Sequence, residues 1–333
     1  WETITIWDNM KKIKSFRYPY SLGLLYSAIT QRLGLKPNEE EYITMGMAAY
    51  GKPKYTSFIK ENWLKRNNHK GVPKNDLTWA TDFDLAASVQ KVYEDELKKI
   101  VVKHCPKINL VISGGCALNC VANSNLKRNI WIMPNPGDSG SALGCIPAIT
   151  KQRLNWKGPF LGTNIEGEYP IDSIIKELKE NKMVGVANGR AEFGPRALGN
   201  RSLLADPRGP EVKDMVNRIK RRQKFRPFAP AILQEDVHEY FDMPQETSPY
   251  MQFVGTCKFP KEFPAIIHAD GTSRVQTVTK EDNEGFYNLL KEWKRQTGCP
   301  ILLNTSLNIK GKPMVNDMID GKEFERKYNV KVV

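Results

Sequence analysis

One segment of this 333-residue chain reads Asn188-Gly-Arg-Ala-Glu-Phe-Gly-Pro-Arg-Ala-Leu-Gly-Asn-Arg-Ser-Leu-Leu-Ala-Asp-Pro-Arg208 and follows an apolar run. Four arginines, including Arg190 and Arg208, stand among its glycines and prolines. Glycine admits backbone angles that other residues avoid, and proline removes a hydrogen-bond donor. The segment is therefore predicted to be a loop rather than a helix or a core strand. Because guanidinium forks suit phosphate and carboxylate, the loop is predicted to bind an anion.

The overall composition is typical of a soluble globular protein, with 40% hydrophobic and 26% charged residues. A net charge of +13 favours an anionic partner, which could be nucleic acid, a membrane surface or a phosphorylated small molecule. Basic pairs such as Lys11-Lys12, Lys65-Arg66 and Lys98-Lys99 are more typical of solvated faces. No apolar stretch approaches the roughly 20 residues that cross a bilayer, and the first residues do not resemble a signal peptide. We therefore expect a cytoplasmic protein without a membrane partner.

The cysteines and histidines do not form a recognisable metal or disulfide pattern. The six cysteines are scattered without a Cys-x-x-Cys pair, and no His-x-x-x-His pair exists among the four histidines. Asp138 lies in a turn rich in proline and glycine that precedes a helix-like segment. Its carboxylate could bind a cation or cap the helix, and the sequence leaves both roles open.

The order of the predicted elements indicates an α/β protein. A strand, a glycine turn and a helix occur twice in succession, at 107–126 and at 130–149. Residues 151–169 break every periodic pattern and mark a domain boundary. A second unit then opens with predicted helices at 171–180 and 211–221 and predicted strands at 183–187 and 300–303.

Three further groups of residues have the character of a ligand site. Gly114 and Gly115 follow a strand, with Asn119 one turn later, and could let a nucleotide approach the main chain; a plain tight turn is the alternative. Lys224 and Arg226 would share a face of an extended segment and hold a phosphate, or form a solvated edge. Ser306 and Asn308 would share a face after an apolar strand, or cap a turn.

Taken together, these segments resemble the NodU/CmcH family of carbamoyltransferases. The resemblance covers nearly the whole chain and is most specific in the arginine segment. It rests on Tyr18–Ala28, Met45–Gly51, Gly114–Asn123, Gly137–Gly144, Gly189–Ser202, Phe225–Pro230, His268–Gln276 and Leu303–Asn308.

The resemblance implies a partial actin-like ATPase lobe followed by a YrdC-like domain. The first would occupy residues 1–155, a linker 156–168, and the YrdC-like domain 169–333. In such enzymes the YrdC-like half converts carbamoyl phosphate and ATP to carbamoyl adenylate, with release of pyrophosphate and phosphate. The actin-like half then binds that intermediate with iron and transfers the carbamoyl group to an acceptor hydroxyl.

The family motifs also imply roles for individual residues of this chain. The catalytic residues would be Arg196, Arg201, Lys224 and Arg226. ATP and substrate would be bound by Arg190, Glu192, Asn200, His268, Arg274, Ser306 and Asn308. The adenylate would lie against Gly114, Gly115 and Asn119, and Asp138 would bind Fe²⁺ or another divalent metal. Mg²⁺ as a further cofactor and a homodimer stay open.

The chain also departs from the family pattern. It lacks the phosphate-binding strand turn and the histidine pair that ligates iron, so we expect an N-terminally truncated enzyme. Such an enzyme would activate carbamoyl phosphate but transfer the carbamoyl group poorly. A tRNA threonylcarbamoyl-transfer protein is one alternative, although the arginine segment argues against a nucleic acid partner. A non-catalytic nucleotide- or anion-binding module is the other.

Overall fold

The computed structural model describes residues 1–66 and 68–333, which form two compact units, 1–131 and 132–333. None of the described helices is both long and apolar enough to cross a membrane. The boundary between the units lies before the predicted linker, and part of that linker forms a strand. The assignment of the two units to an actin-like lobe and a YrdC-like domain stays a prediction.

The first unit is mainly helical and packs around its longest helix. Its helices are α1 (Leu22–Arg32), α2 (Glu41–Ala48), α3 (Thr56–Asn62), α4 (Asp82–His104) and α5 (Cys120–Ser124). Its strands form an antiparallel pair, β1 (Glu2–Asp8) and β2 (Lys11–Arg17), and a parallel pair, β3 (Asn109–Val111) and β4 (Asn129–Trp131). Thr81 caps α4 by accepting a hydrogen bond from the backbone N–H of Asp84, and Val89 and Val92 of that helix are fully buried.

The second unit is built on a mixed seven-stranded sheet. Its helices are α6 (Ser141–Thr150), α7 (Ile171–Asn181), α8 (Val212–Lys220), α9 (Val237–Tyr240), α10 (Glu284–Thr297) and α11 (Met318–Tyr328). Its strands are β5 (Phe160–Ile165), β6 (Met183–Ala187), β7 (Gly189–Glu192), β8 (Arg201–Ala205), β9 (Ala229–Leu233), β10 (Phe241–Asp242), β11 (Phe253–Cys257), β12 (Thr272–Val278) and β13 (Ile301–Ser306). The sheet order is β10-β11-β12-β9-β13-β8-β6, and β5 pairs separately with β7.

Helices cover both faces of this sheet, which explains why strands such as β6 and β9 are buried along their whole length. On one face, Ile174 of α7 and Phe286 and Trp293 of α10 pack against the sheet. On the other face, Val216 of α8 and Phe324 of α11 do the same. These results confirm a mixed α/β fold, as the sequence predicts.

One strand contradicts the prediction that the arginine segment contains no core strand. Residues Arg201–Ala205 form β8, which lies between β6 and β13 and is buried throughout. The prediction fails because the apolar part of the segment, Leu203 to Ala205, packs into the core, while the guanidinium of the arginine that begins the strand donates to backbone carbonyl oxygens.

Candidate functional site

The candidate site lies at one end of the strands of the seven-stranded sheet, where several loops leave it, and we call this end the loop edge. Ala187 at the end of β6 pairs with Arg201 at the start of β8, and Ser202 pairs with Ser306 at the end of β13. Asn304 pairs with Ala229 at the start of β9. The arginine segment, the residues before β9 and the residues after β13 therefore all leave the sheet at this edge.

Helix α8 delivers a lysine to this edge that the sequence analysis did not select. The Nζ of Lys220, the last residue of the helix, donates hydrogen bonds to the Ser306 carbonyl at 2.8 Å and the Ser306 hydroxyl at 3.2 Å. It also donates to Oδ1 of Asn308, and the Ser306 hydroxyl donates to the same oxygen at 2.8 Å. Ser306 and Asn308 thus share a face, as predicted, and Lys220 holds them there.

Burial, together with the nearby positive charges of Arg222 and Arg226, lowers the pKa of the Lys220 ammonium group to about 7. Three positively charged side chains therefore lie close together at this edge, and all three are half-buried. A bound anion would reverse the effect on the pKa, because it favours the charged ammonium group.

The two arginines near Lys220 are held in different ways. Arg222 stacks its guanidinium 3.7 Å from the centre of the Phe228 ring and donates to the Pro227 carbonyl at 2.8 Å. Arg226 lies after a turn, in which its backbone N–H donates to the Gln223 carbonyl at 3.2 Å. This turn contradicts the extended conformation expected for Lys224 and Arg226, so two-residue spacing does not place them on one face. Lys224 is exposed.

The side chain of Arg201 is fully buried and links several segments of the chain through hydrogen bonds. Its guanidinium donates at 2.9–3.2 Å to the carbonyl oxygens of Thr163, Asn188, Gly189, Asn200 and Asn316. Burial lowers the pKa of Arg201, and the negative charge of Glu192 opposes that shift. The observed role of Arg201 is structural, and its predicted contact with substrate stays a prediction.

Glu192 organises the same segment from within. Its Oε1 accepts hydrogen bonds from the backbone N–H groups of Leu198 at 2.7 Å, Asn200 at 3.0 Å and Arg201 at 3.1 Å. Its Oε2 is buried and accepts no hydrogen bond from the part of the chain that the structure describes. Burial raises the pKa of Glu192, and the three N–H donors oppose the shift.

Two buried amides that the sequence analysis did not select hold the segment from the sheet side. The Nδ2 of Asn304 in β13 donates to the Ala197 carbonyl at 3.0 Å and to Oε1 of Gln276 at 2.7 Å. The Nε2 of Gln276 in β12 donates to the Leu198 carbonyl at 3.3 Å. For Asn304, the amide that directly follows the apolar run Ile301 to Leu303 was a signal that could have identified it. Gln276 lies among polar residues of β12, so no such signal pointed to it.

The other predicted residues of the second unit differ in exposure. Asn200 is buried, donating to the Arg190 carbonyl at 2.8 Å and accepting from Asn283 at 2.9 Å. Arg190 is exposed, and Arg196 is half-buried. His268 lies 3.6 Å from Asp270, whose pKa falls to about 2 because hydrogen bonds from His268 and Thr272 outweigh its burial.

The register of β12 against β9 places Arg274 at the loop edge. Gln276 of β12 pairs with Ala231 of the parallel strand β9. Arg274 therefore lies level with Ala229, which marks the loop edge. The structure thus brings Arg274 and Ser306 to the same edge, whereas their contacts with a ligand stay predictions.

Gly199 is the glycine of this segment with the strictest requirement. Its φ is +120°, and a Cβ there would lie 2.6 Å from Cδ1 of the Phe286 ring. We expect Gly199→Ala to lower the free energy of unfolding by about 2–4 kcal/mol, from backbone strain and overpacking together. Urea denaturation measures it. Gly298→Ala is the control, with a φ of +72° and no atom within 4 Å of the added Cβ. Equal losses in both variants would contradict the packing argument.

The predicted nucleotide turn of the first unit has the expected backbone geometry. Gly114 has a φ of +97°, and a Cβ at Gly114 or Gly115 would meet no atom within 4 Å. Asn119 caps α5 by accepting from the Ala122 N–H at 3.0 Å and exchanges two amide hydrogen bonds with Gln90, at 2.9 and 3.1 Å. The space supports a ligand at the glycines, while the contacts of Asn119 support the alternative of a structured turn.

The predicted metal site does not fit the residues present. Asp138 is exposed and begins a short 3₁₀ turn, Asp138–Gly140. Across residues 1–66 and 68–333, no group of three or more His, Cys, Asp or Glu side chains could hold a metal ion. No step of the chemistry proposed below therefore runs through iron.

Comparisons with known proteins match both units. The family described as carbamoyltransferase N-terminus matches residues 3–83 and 65–146, and the family described as carbamoyltransferase C-terminus matches residues 175–333. The nodulation protein NolO of Bradyrhizobium diazoefficiens is 33% identical, over 93% of this chain and 67% of that protein. The nodulation protein NolNO of Sinorhizobium fredii is 32% identical, over 94% and 54%.

A third relative matches a shorter region more strongly, and one solved structure is weakly similar. Nodulation protein U of Sinorhizobium fredii is 39% identical over 61% of this chain and 40% of that protein. The crystal structure of full-length HypF in its phosphate- and nucleotide-bound form has a TM-score of 0.35 at 20% identity, covering 50% of this chain and 21% of that one. The chain spans about half to two thirds of the length of the nodulation proteins NolNO and NolO. It belongs to the NodU-type carbamoyltransferase family.

Proposed function

We propose that the second unit activates carbamoyl phosphate with ATP to form carbamoyl adenylate, and that the family's further step passes the carbamoyl group to an acceptor hydroxyl. The observation that carries the proposal is the meeting of Lys220, Ser306 and Asn308 at the loop edge, beside Arg222 and Arg226. This edge lies within the region matched by the carbamoyltransferase C-terminus.

The atoms of the activation step balance with one water. Water adds to the carbonyl carbon of carbamoyl phosphate, and the bond from that carbon to the phosphate oxygen breaks, giving carbamate and phosphate. A carbamate oxygen then forms a bond to the α-phosphorus of ATP, and pyrophosphate leaves. Both leaving groups are anionic, so a site for this chemistry needs fixed cations.

The chain supplies those cations at the loop edge. Lys220 and Arg222 have the Lys-x-Arg spacing that Lys224 and Arg226 also have, and Lys220 contacts both members of the Ser306-x-Asn308 pair. We therefore propose Lys220, with Arg222 and Arg226 beside it, as the binding group for the phosphates. Each charge-assisted hydrogen bond contributes about 1.5–3 kcal/mol.

The buried hydrogen bonds of the arginine segment would support this reaction by fixing the main chain that forms the wall of the site. Glu192, Asn304 and Gln276 hold the main chain at 197–201, and Arg201 joins it to distant carbonyls. A wall held in advance does not have to reorganise when charge develops in the transition state. These four residues are positioning residues in this account.

An isotope-exchange assay tests the proposal. Purified protein is mixed with ATP, labelled pyrophosphate and carbamoyl phosphate, and label in ATP is measured. We expect exchange only when carbamoyl phosphate is present, because carbamoyl adenylate and pyrophosphate return to ATP. No exchange in protein shown by circular dichroism to be folded would refute the activation step. Equal exchange without carbamoyl phosphate would show that another acid is activated.

The lowered pKa of Lys220 predicts proton uptake when a polyphosphate binds. At pH 8 the free amine is mostly neutral, because its pKa is about 7. A bound anion raises that pKa, so binding should take up as much as about one proton, and affinity should fall as pH rises above about 7. Calorimetric titration with an ATP analogue in two buffers of different ionisation enthalpy measures the uptake. Equal uptake by Lys220→Met would assign the proton to another group.

A further inference from the structure

The first unit contains an open cavity that the proposed function does not use. Its volume is about 580 Å³, and it is lined by Pro19 and by residues 65–66 and 70–73. This size lies within the range of small-molecule sites, roughly 300–1,000 Å³. The basic pair Lys65-Arg66, whose sequence pattern favours a solvated face, therefore lines an open surface pocket.

The charge of the cavity is strongly one-sided. Lys65, Arg66 and Lys70 line it, and none of these side chains forms an ion pair or a hydrogen bond with the part of the chain that the structure describes. By contrast, the neighbouring Lys60 is paired with Asp95 at 2.9 Å. Three unpaired cations around one cavity repel one another, and an anion in the cavity would relieve that repulsion.

The wall of the cavity is built by hydrogen bonds. Arg32 of α1 donates to the carbonyl oxygens of Pro73 at 2.7 Å and Asp76 at 2.8 Å. Buried Asn68 donates to the Trp63 carbonyl at 3.0 Å. The Tyr18 hydroxyl and Nδ1 of His69 lie 3.0 Å apart, which joins the chain beside Pro19 to the chain beside Lys70. These contacts fix the main chain next to the three cations.

The lining also contains apolar surface. Pro19, Val72 and Pro73 contribute it, next to the three cations. Ligand sites commonly combine apolar walls with a few charged groups that fix orientation. The combination fits a small molecule with a phosphate group at one end and a compact ring at the other. A nucleic acid would instead need cations spread along a backbone track.

We propose that this cavity binds a phosphorylated small molecule, through Lys65, Arg66 and Lys70. The proposal does not depend on the chemistry assigned to the second unit. Lys65 and Arg66 lie next to each other in the chain, and Lys70 approaches from the 3₁₀ turn Asn68–Lys70. Donors from two positions along the chain can contact different oxygens of one phosphate group, whereas a single lysine would contact it from one side only.

The experiment uses the full chain with glucose 6-phosphate as the probe. Hydrogen–deuterium exchange of the peptide covering 65–73 is followed during the titration, so that a phosphate site elsewhere does not contribute to the signal. We expect saturable protection by glucose 6-phosphate, weaker protection by inorganic phosphate, and none by glucose. The triple variant Lys65→Ala, Arg66→Ala, Lys70→Ala should bind at least about tenfold more weakly, because it loses three charge-assisted contacts.

A matched triple variant separates the site from general charge. Lys98→Ala, Lys103→Ala and Lys127→Ala remove the same charge from exposed positions of the same unit and should leave the protection unchanged. Equal weakening in both triple variants would overturn the proposal, as would protection by glucose alone. Protection of 65–73 by an RNA oligomer or anionic vesicles, without protection by glucose 6-phosphate, would also overturn it in favour of a macromolecular surface.

Discussion

Replacing Lys220 with methionine should lower carbamoyl-phosphate-dependent pyrophosphate exchange by about 10–100-fold, the loss that follows from one charge-assisted phosphate contact. Methionine keeps most of the apolar stem but removes the ammonium group that contacts Ser306 and Asn308. The fold should survive, since burial already makes the charged form of this lysine unfavourable. Exchange rates at saturating ATP, with circular dichroism of both proteins, provide the measurement.

Lys176→Met is the control for this variant. Lys176 is an exposed residue of α7, a helix that packs on a face of the sheet rather than at the loop edge. Its replacement removes the same charge and should leave exchange within about twofold of the unchanged protein, since surface substitutions away from a site have small effects. Equal exchange by the Lys220 and Lys176 variants would remove Lys220 from the phosphate site.

Replacing Arg201 with methionine should lower the free energy of unfolding of the second unit by about 3–5 kcal/mol. The substitution leaves five carbonyl oxygens without their cationic donor, around a side chain that is itself fully buried. Arg201→Lys keeps the charge but cannot reach as many acceptors, so its loss should be intermediate. Urea denaturation followed by near-ultraviolet circular dichroism compares the three proteins.

Arg295→Met provides the matched control. Arg295 is exposed on α10 and pairs with Glu292 three residues earlier. Such surface pairs contribute little, so the expected loss is below about 1 kcal/mol. A loss below 1 kcal/mol for Arg201→Met as well would mean that water replaces the guanidinium and that Arg201 is not the tie that holds the arginine segment.

Apolar patterns predicted several elements of the second unit. The strand expected at 183–187 is β6, and the helix expected at 211–221 is α8, at Val212–Lys220. Both faces of the sheet are covered, so a continuous apolar run was a reliable sign of a strand. In the first unit, the helix expected at 117–126 is interrupted, because Asn119 ends a 3₁₀ turn and caps α5.

The contacts that the sequence could not predict are those whose partners are remote in sequence. Arg201 was predicted to be a catalytic residue, and its structural contacts were not foreseen, because two of its acceptors, Thr163 and Asn316, lie 38 and 115 positions away. Lys220 and Lys224 were equivalent in the sequence, each with an arginine two positions later. The packing of α8 against the end of β13, 86 residues later, favours Lys220, and no local pattern contains that information.

A crystal structure with an ATP analogue that carries a methylene bridge between the α- and β-phosphorus atoms tests the central claim most directly. We predict phosphate oxygens within about 3.2 Å, hydrogen-bond distance, of Lys220 Nζ and the Ser306 hydroxyl, with the arginine segment as the wall of the site. An analogue bound away from the loop edge, with residues 188–201 facing empty solvent, would contradict the account.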